Sequence, residues 1–147
     1  METTASIMVS LRPGEWTTSI DLKDAYFHVP IAKSLRKYLC FVVNDKVYQF
    51  VALPFGLALA PFVFTKIMGA VAAFVHIQGV QVHMYLDDWL LQGSCRLERH
   101  TGWLRDLCLL LGLIVNIPKS SFFPLRDFVF LGIRFQTVPF ICCPSKD

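Results

Sequence analysis

Short apolar runs broken by turn residues dominate this chain, and their periods predict its elements. Thr17 to Leu22, rich in β-branched side chains, predicts a strand. Lys37 to Val43 and Lys46 to Leu53 predict two more, joined at Asn44-Asp45, a pair suited to a tight hairpin turn. Pro61 stands where a helix opens, and Phe62 to His76 continues it. Gly69, Ala70, Ala72 and Ala73 would let that helix lie close on a sheet. Val80 to Leu86 and Trp89 to Gln92 predict a second hairpin. Ser94 is placed to cap a helix running to Leu111, with Leu97, Leu104, Cys108 and Leu111 on one stripe and Gly112 at its end. Phe128 to Phe135 and Val138 to Ile141 predict the last strands. This order of strands and helices suits an α+β fold, an antiparallel sheet with helices packed on one face.

The second hairpin changes the picture, because its turn holds Asp87 and Asp88 between apolar flanks. No Lys or Arg lies nearer in sequence than Lys66 or Arg96. Two like charges in apolar surroundings cost several kcal/mol unless compensated. Either the turn is fully solvated, as Asp-rich turns commonly are, or a cation neutralises it. Hard carboxylate oxygens suit Mg²⁺. Asp21, at the end of the first predicted strand, is a third acid in similar surroundings. Two strands that each deliver acid at an end are what a two-metal phosphoryl-transfer site needs.

Composition narrows the class. A chain of 147 residues is long enough for one domain with its own core. Apolar residues make up 54% and aromatic ones 14%, against 17% charged, which predicts surface meant to be covered by neighbouring segments. The longest apolar stretches, Leu57 to Val75 and Trp103 to Val115, are interrupted by Pro61 and Lys66 and by Arg105 and Asp106, so no membrane span is expected. The N-terminus lacks a signal pattern. Five Cys without a Cys-x-x-Cys pair argue against a disulfide scaffold or a zinc site and for a reducing compartment. An intracellular place, cytoplasm or nucleus, is therefore expected. The net charge is +3, and two Mg²⁺ would add +4, giving +7, which is compatible with a polyanionic partner. Lys33, Arg36 and Lys37 form the best basic patch. None of His28, His76, His83 and His100 shows ligand spacing, and no role is assigned to them.

Five motifs in order carry a resemblance. Ser19-Ile20-Asp21-Leu22-Lys23-Asp24-Ala25-Tyr26-Phe27-His28-Val29-Pro30 resembles the first catalytic motif of reverse transcriptases. Leu53 to Pro61 resembles their second motif, Tyr85-Leu86-Asp87-Asp88 their acidic turn, Leu110 to Ser120 the next motif, and Phe130-Leu131-Gly132-Ile133 the primer grip. The wording Pro54-Phe55-Gly56-Leu57 with Leu86-Asp87-Asp88-Trp89-Leu90 is most similar to DIRS-type retrotransposons, with gypsy-type elements second.

The resemblance implies a palm with a ferredoxin-like core, spanning residues 16–141. Residues 1–15 would be a remnant of the fingers side and 142–147 a tail. Fingers and thumb would be largely missing, as would a ribonuclease H segment of the parent polyprotein. Asp21, Asp87, Asp88 and the Leu22 carbonyl would hold two Mg²⁺, or Mn²⁺ in their place. Lys119 would protonate pyrophosphate. Asp24 and Ala25 would offer N–H groups to a dNTP, Tyr26 would act as the steric gate, and Phe55 and Gly56 would lie at the nucleotide. Phe55 departs from the Gln of retroviral enzymes and cannot hydrogen-bond. Tyr85, Leu86, Leu131 and Gly132 would contact primer and template. The implied activity is RNA-directed DNA polymerisation, a nucleotidyl transfer from dNTP to a primer 3′-hydroxyl on RNA or DNA, with the isolated chain poorly active. A catalytically silent remnant that only folds and weakly binds nucleic acid is the alternative. A nucleotidyl cyclase ranks last, since it has no use for Leu53 to Pro61.

Overall fold

A computed structural model describes residues 3–94 and 96–145. The elements are α1 (Thr4–Ser10), β1 (Trp16–Asp21), β2 (Cys40–Val43), β3 (Lys46–Gln49), α2 (Ala60–Ile77), β4 (Gln81–Tyr85), β5 (Asp88–Gly93), α3 (Leu97–Leu110), β6 (Ser121–Leu125), β7 (Asp127–Phe130), β8 (Ile133–Thr137) and β9 (Phe140–Pro144). Two 3₁₀ helices, Ala25–His28 and Lys33–Tyr38, follow β1.

The central sheet has the order β4-β5-β1-β6 and is antiparallel throughout. Strand alternation sends Ile20, Trp89, Leu91 and Val82 to one face, where they share a core with Phe64, Met68 and Val75 of α2 and Leu97, Leu104 and Cys108 of α3. Both long helices therefore cover the same face, as expected for an α+β palm. The opposite face takes Leu90, which packs with Ile7 and Leu11 of the N-terminal segment and with Phe130 and Phe135.

The long helices form partly as the sequence suggests. In α2, Pro61 lies in the first turn, where its missing N–H costs nothing, so it opens the helix rather than interrupting it. By length and composition alone α2 could cross a membrane, with a mean hydropathy of 1.6 over 18 residues. Its buried stripe consists of Ala60, Phe64, Met68 and Val75. The small residues do not pack tightly on the sheet: Gly69, Ala70 and Ala73 are exposed, Ala72 is half-buried, and Gly69 and Ala72 line a cavity that also reaches Val82 and Met84 of β4. In α3, no side chain caps the N-terminus. Ser94 contributes only its carbonyl, to Leu97 N–H at 3.1 Å. Leu111 falls off the buried stripe, 51% exposed, and Thr101 takes a place on it. Gly112, at φ +77°, ends the helix: Gly112 N–H bonds Leu109 O and Leu113 N–H bonds Cys108 O, satisfying the last carbonyls.

Three elements depart from the sequence pattern. α1 was not signalled by periodicity; Thr3 and Ser6 cap it reciprocally through side chain and backbone. Phe128 to Phe135 is not one strand but two, β7 and β8, turning at Leu131 (φ +50°) and Gly132 (φ +74°). β6 pairs with β1 despite Pro124. The expected turn at Asn44-Asp45 forms, both residues in the left-handed region. β9 carries Cys142 and Cys143 opposite Phe135 and Arg134, inside the stretch expected to be a tail; residues 146 and 147 of that tail lie outside the described chain.

Candidate active site

Antiparallel register brings the acids together. Asp21, last in β1, lies directly opposite Asp88, first in β5. Leu22 N–H donates to Asp87 O at 2.9 Å, which makes Asp21 and Asp88 a pair without mutual backbone bonds. Such pairs hold their side chains closest. The two carboxyls contact each other, and Asp88 is pushed up to about 6. Burial is the main cause, followed by the charges of Asp87 and Asp21, while Lys119 pulls in the other direction.

Asp87 and Leu86 form the two-residue loop of the β4–β5 hairpin. Leu86 sits at φ +53°, a position at which glycine is usual in this kind of turn. The Trp89 indole N–H donates to Leu86 O at 3.0 Å and, being fully buried, anchors the turn to the core. Tyr85, opposite Asp88, and Leu86 are both half-buried.

A cavity of about 110 Å³ adjoins the acid pair, lined by Ser19, Asp21, Asp88, Lys119, Phe130 and Leu131, among others. It therefore unites four expected site residues: Asp21, Asp88, Lys119 and Leu131. A space of this size takes an ion and a few waters, not a nucleotide. Gly132 does not reach it; the Gly132 carbonyl accepts from Ser145 N–H at 2.9 Å.

The open ground lies on the other side of the turn. Tyr26 and Phe55 meet with ring centroids 4.8 Å apart, and Tyr26 also abuts Phe64 edge-on at 5.6 Å. Burial raises the Tyr26 hydroxyl pKa, and the charges of Asp87 and then Tyr85 add to the shift, which places Tyr26 near the acidic turn. Phe55 is 56% exposed and touches Phe27 as well. Gly56 (φ +87°) is exposed and lets the chain turn beside Phe55. Asp24 is exposed in the left-handed region at φ 54°, while Ala25 is buried. In the basic patch, Arg36 Nε donates to Ile31 O at 3.0 Å and Lys37 lies 5.0 Å from the Tyr38 ring centroid.

Among the described residues, no three His, Cys, Asp or Glu side chains stand together in ligand geometry. The acids still fit a divalent cation by their chemistry. Two half-buried carboxyls are in contact, a third acid is adjacent in sequence, and the lone neighbouring cation named among the causes of the Asp88 shift is Lys119. A bound cation would offset the burial and the like charges that raise the Asp88 pKa.

Several supporting residues were not visible in the sequence. His28 Nε2 accepts from Ile114 N–H at 2.9 Å, so its Nδ1 carries the proton and donates to Ala25 O at 3.0 Å. That bond ties the turn bearing Tyr26 to the segment after α3. His76 Nε2 lies 2.9 Å from Val82 O, on edge strand β4. His83 Nε2 lies 2.9 Å from Ser10 Oγ and 3.1 Å from Gln92 Oε1, joining α1 to the acidic hairpin. Three of the four histidines left without a role thus hold structure around the site, and spacing patterns for metal ligands could not have found them.

A family model described as reverse transcriptase (RNA-dependent DNA polymerase) matches residues 1–135. Among curated relatives, a putative enzymatic polyprotein of Cassava vein mosaic virus is 26% identical over 81% of this chain and 18% of its own length. The retrovirus-related Pol polyprotein from transposon 412 of Drosophila melanogaster is 29% identical over 86% of this chain and 10% of its own. Protein P of Heron hepatitis B virus is 30% identical over 78% of this chain and 15% of its own. The chain thus spans less than a fifth of the length of these relatives. Among solved structures, the foamy viral protease-reverse transcriptase in complex with dsDNA superposes at a TM-score of 0.84, with 19% identity, over 99% of this chain and 30% of that one. The same protein in complex with RNA/DNA hybrid superposes at 0.75, with 23% identity, over 92% of this chain and 18% of that one.

Proposed function

This chain belongs to the reverse transcriptase (RNA-dependent DNA polymerase) family, and on that premise we propose that it is the catalytic palm of a retroelement polymerase that extends a primer with dNTPs. The observation that carries the proposal is the meeting of Asp21 and Asp88, from two strands, beside Asp87 on a strained turn. Bound at these acids, two Mg²⁺ or Mn²⁺ would activate the primer 3′-hydroxyl and neutralise the leaving pyrophosphate.

The chain's own residues would do the rest. Asp21, Asp87, Asp88 and the Leu22 carbonyl would supply the oxygens that hold the ions. Tyr26, backed by Phe64 and flanked by Phe55, would lie under the sugar and exclude a 2′-hydroxyl. Asp24 and Ala25 open the triphosphate side. Lys119 supplies a proton donor on the cavity side. Leu131 and Gly132 form a hairpin tip that would steady the primer, with Tyr85 and Leu86 opposite. The relatives with DNA or RNA/DNA hybrid in their structures support a nucleic-acid partner here. Thiols that are free among the described residues suit work inside the cell.

The test is primer extension on an RNA template by a longer active protein containing these residues. Asp87→Asn should abolish extension while far-UV circular dichroism stays unchanged. Extension at the wild-type rate in that variant would sink the proposal.

A further inference from the structure

Asp21 stands just past the end of its sheet ladder. On one side β1 pairs with β5 through Asp21↔Asp88. On the other, pairing with β6 stops at Ser19↔Ser121. Asp21 directs its backbone N–H and C=O to this second side, because toward β5 it belongs to a pair without mutual backbone bonds. A strand end with no rung would leave both groups to water and the residue free to swing.

A loop closes the gap. Asp21 N–H donates to Ser120 Oγ at 3.0 Å, Ser120 Oγ–H donates to Asn116 O at 2.8 Å, and Asn116 N–H donates to Asp21 O at 2.8 Å. The ring of three bonds is complete and directional. The serine hydroxyl spends its one proton on Asn116 and so can only accept from Asp21. Further along, Leu22 bridges Val115, and Lys23 N–H donates to Ile114 O at 2.8 Å. The strap therefore runs antiparallel to residues 21–23, with a side chain taking the place of a ladder rung at Asp21.

The need for such a rung is electrostatic. Asp21 faces Asp88 at contact, with Asp87 adjacent, and like charges push the strand end away from the hairpin. The bond from Ser120 opposes that displacement from behind. The residue before it, Lys119, enters the cavity between the acids and Leu131. One short loop thus delivers a charge to the front of the acid pair and a backbone anchor to its rear.

We propose that Ser120 is a positioning residue for Asp21, holding this carboxylate where it and Asp88 can share a divalent cation. The inference rests on the metal-binding reading of the acids and adds a residue outside them. Its test is Mn²⁺ titration calorimetry on the full 147-residue chain, with hydrogen exchange at the Asp21 amide measured alongside. Ser120→Ala should weaken Mn²⁺ binding about 10-fold or more, the range seen when partners of metal ligands are removed, and should speed Asp21 exchange. Ser120→Thr keeps the hydroxyl and should restore both. If Ser120→Ala does not fold, Ser120→Cys, a poorer acceptor of similar size, must shift both readouts in the same direction. Wild-type affinity in Ser120→Ala or Ser120→Cys, or a Thr variant as weak as Ala, overturns the role of Ser120 alone. A wild-type chain that binds no Mn²⁺ overturns the metal reading and this inference together.

Discussion

The two ends of one sheet face obey opposite rules. At the far end, Leu90 is buried under Ile7, Leu11, Phe130 and Phe135, and Ser10, His83 and Gln92 hydrogen-bond one another. At the near end of the same strands, Asp21 and Asp88 face each other, the pKa of the Asp88 carboxyl raised by burial and then by its like-charged neighbours, next to a leucine in a backbone region that suits glycine. The strands are shared, so the difference does not lie in the architecture. The far end minimises free energy by packing and pairing; the near end accumulates like charge and backbone strain. Stability supplied at the far end offsets the cost of the near end.

That contrast can be broken from either side. The largest effect should come from the packed end. Leu90→Ala should cost about 2–5 kcal/mol, the range for a buried leucine truncation, seen as a lower urea midpoint. A loss under 0.5 kcal/mol would mean that α1 and β7–β8 do not stabilise the hairpin. Next, at the open end, Tyr26→Ala in a longer active protein should admit ribonucleotides, lowering discrimination about 10–200-fold, the worth of one steric contact. Unchanged selectivity would reduce Tyr26 to packing against Phe64.

A pH effect should follow in size. In chelated buffer the folded chain keeps the Asp88 proton to about pH 6, whereas the unfolded chain releases it near pH 4. Between those values the folded state binds more protons, so stability should fall as pH rises through the window and level off above it. Asp88→Asn should flatten that slope. Asp127, lowered to about 2 by its bonds from Arg134 and then Gln136, acts in the opposite direction and mainly below the window. Equal slopes in wild type and Asp88→Asn would remove the electrostatic account of the near end. The smallest effect belongs to Ser10→Ala, which should cost about 1 kcal/mol through the Ser10–His83–Gln92 network. Mn²⁺ affinity should not change. A shift in affinity would show that the two ends are coupled.

How far the sequence carries depends on which physics places each residue. The acids were legible, because Asp87 and Asp88 between apolar flanks and Asp21 at a strand end are anomalies of composition. The Asn44-Asp45 turn was legible because its residue types suit its dihedrals. The Leu131-Gly132 turn was not, since leucine at positive φ contradicts local preference and is imposed by the sheet around it. The small residues of α2 suggested close packing, yet the sheet selects the larger stripe of Phe64, Met68 and Val75 because those bury more apolar area. Ser120, Asn116 and His28 act through long-range hydrogen bonds, to which periodicity is blind. The exposed β2–β3 hairpin, apolar along Phe41 to Val43, also reads as an ordinary strand pair until its lack of cover is seen.

The central claim is that strand ends gather Asp21, Asp87 and Asp88 into one cation site. Titration calorimetry of Mn²⁺ into the wild-type chain and Asp87→Asn, with melting curves in chelated buffer, tests it most directly. The account predicts saturable binding in the wild type, at least tenfold weaker binding in Asp87→Asn, the order expected for loss of a charged ligand, and a higher melting temperature for that variant without metal, since a repelling charge is gone. Equal Mn²⁺ binding by the two chains would contradict it.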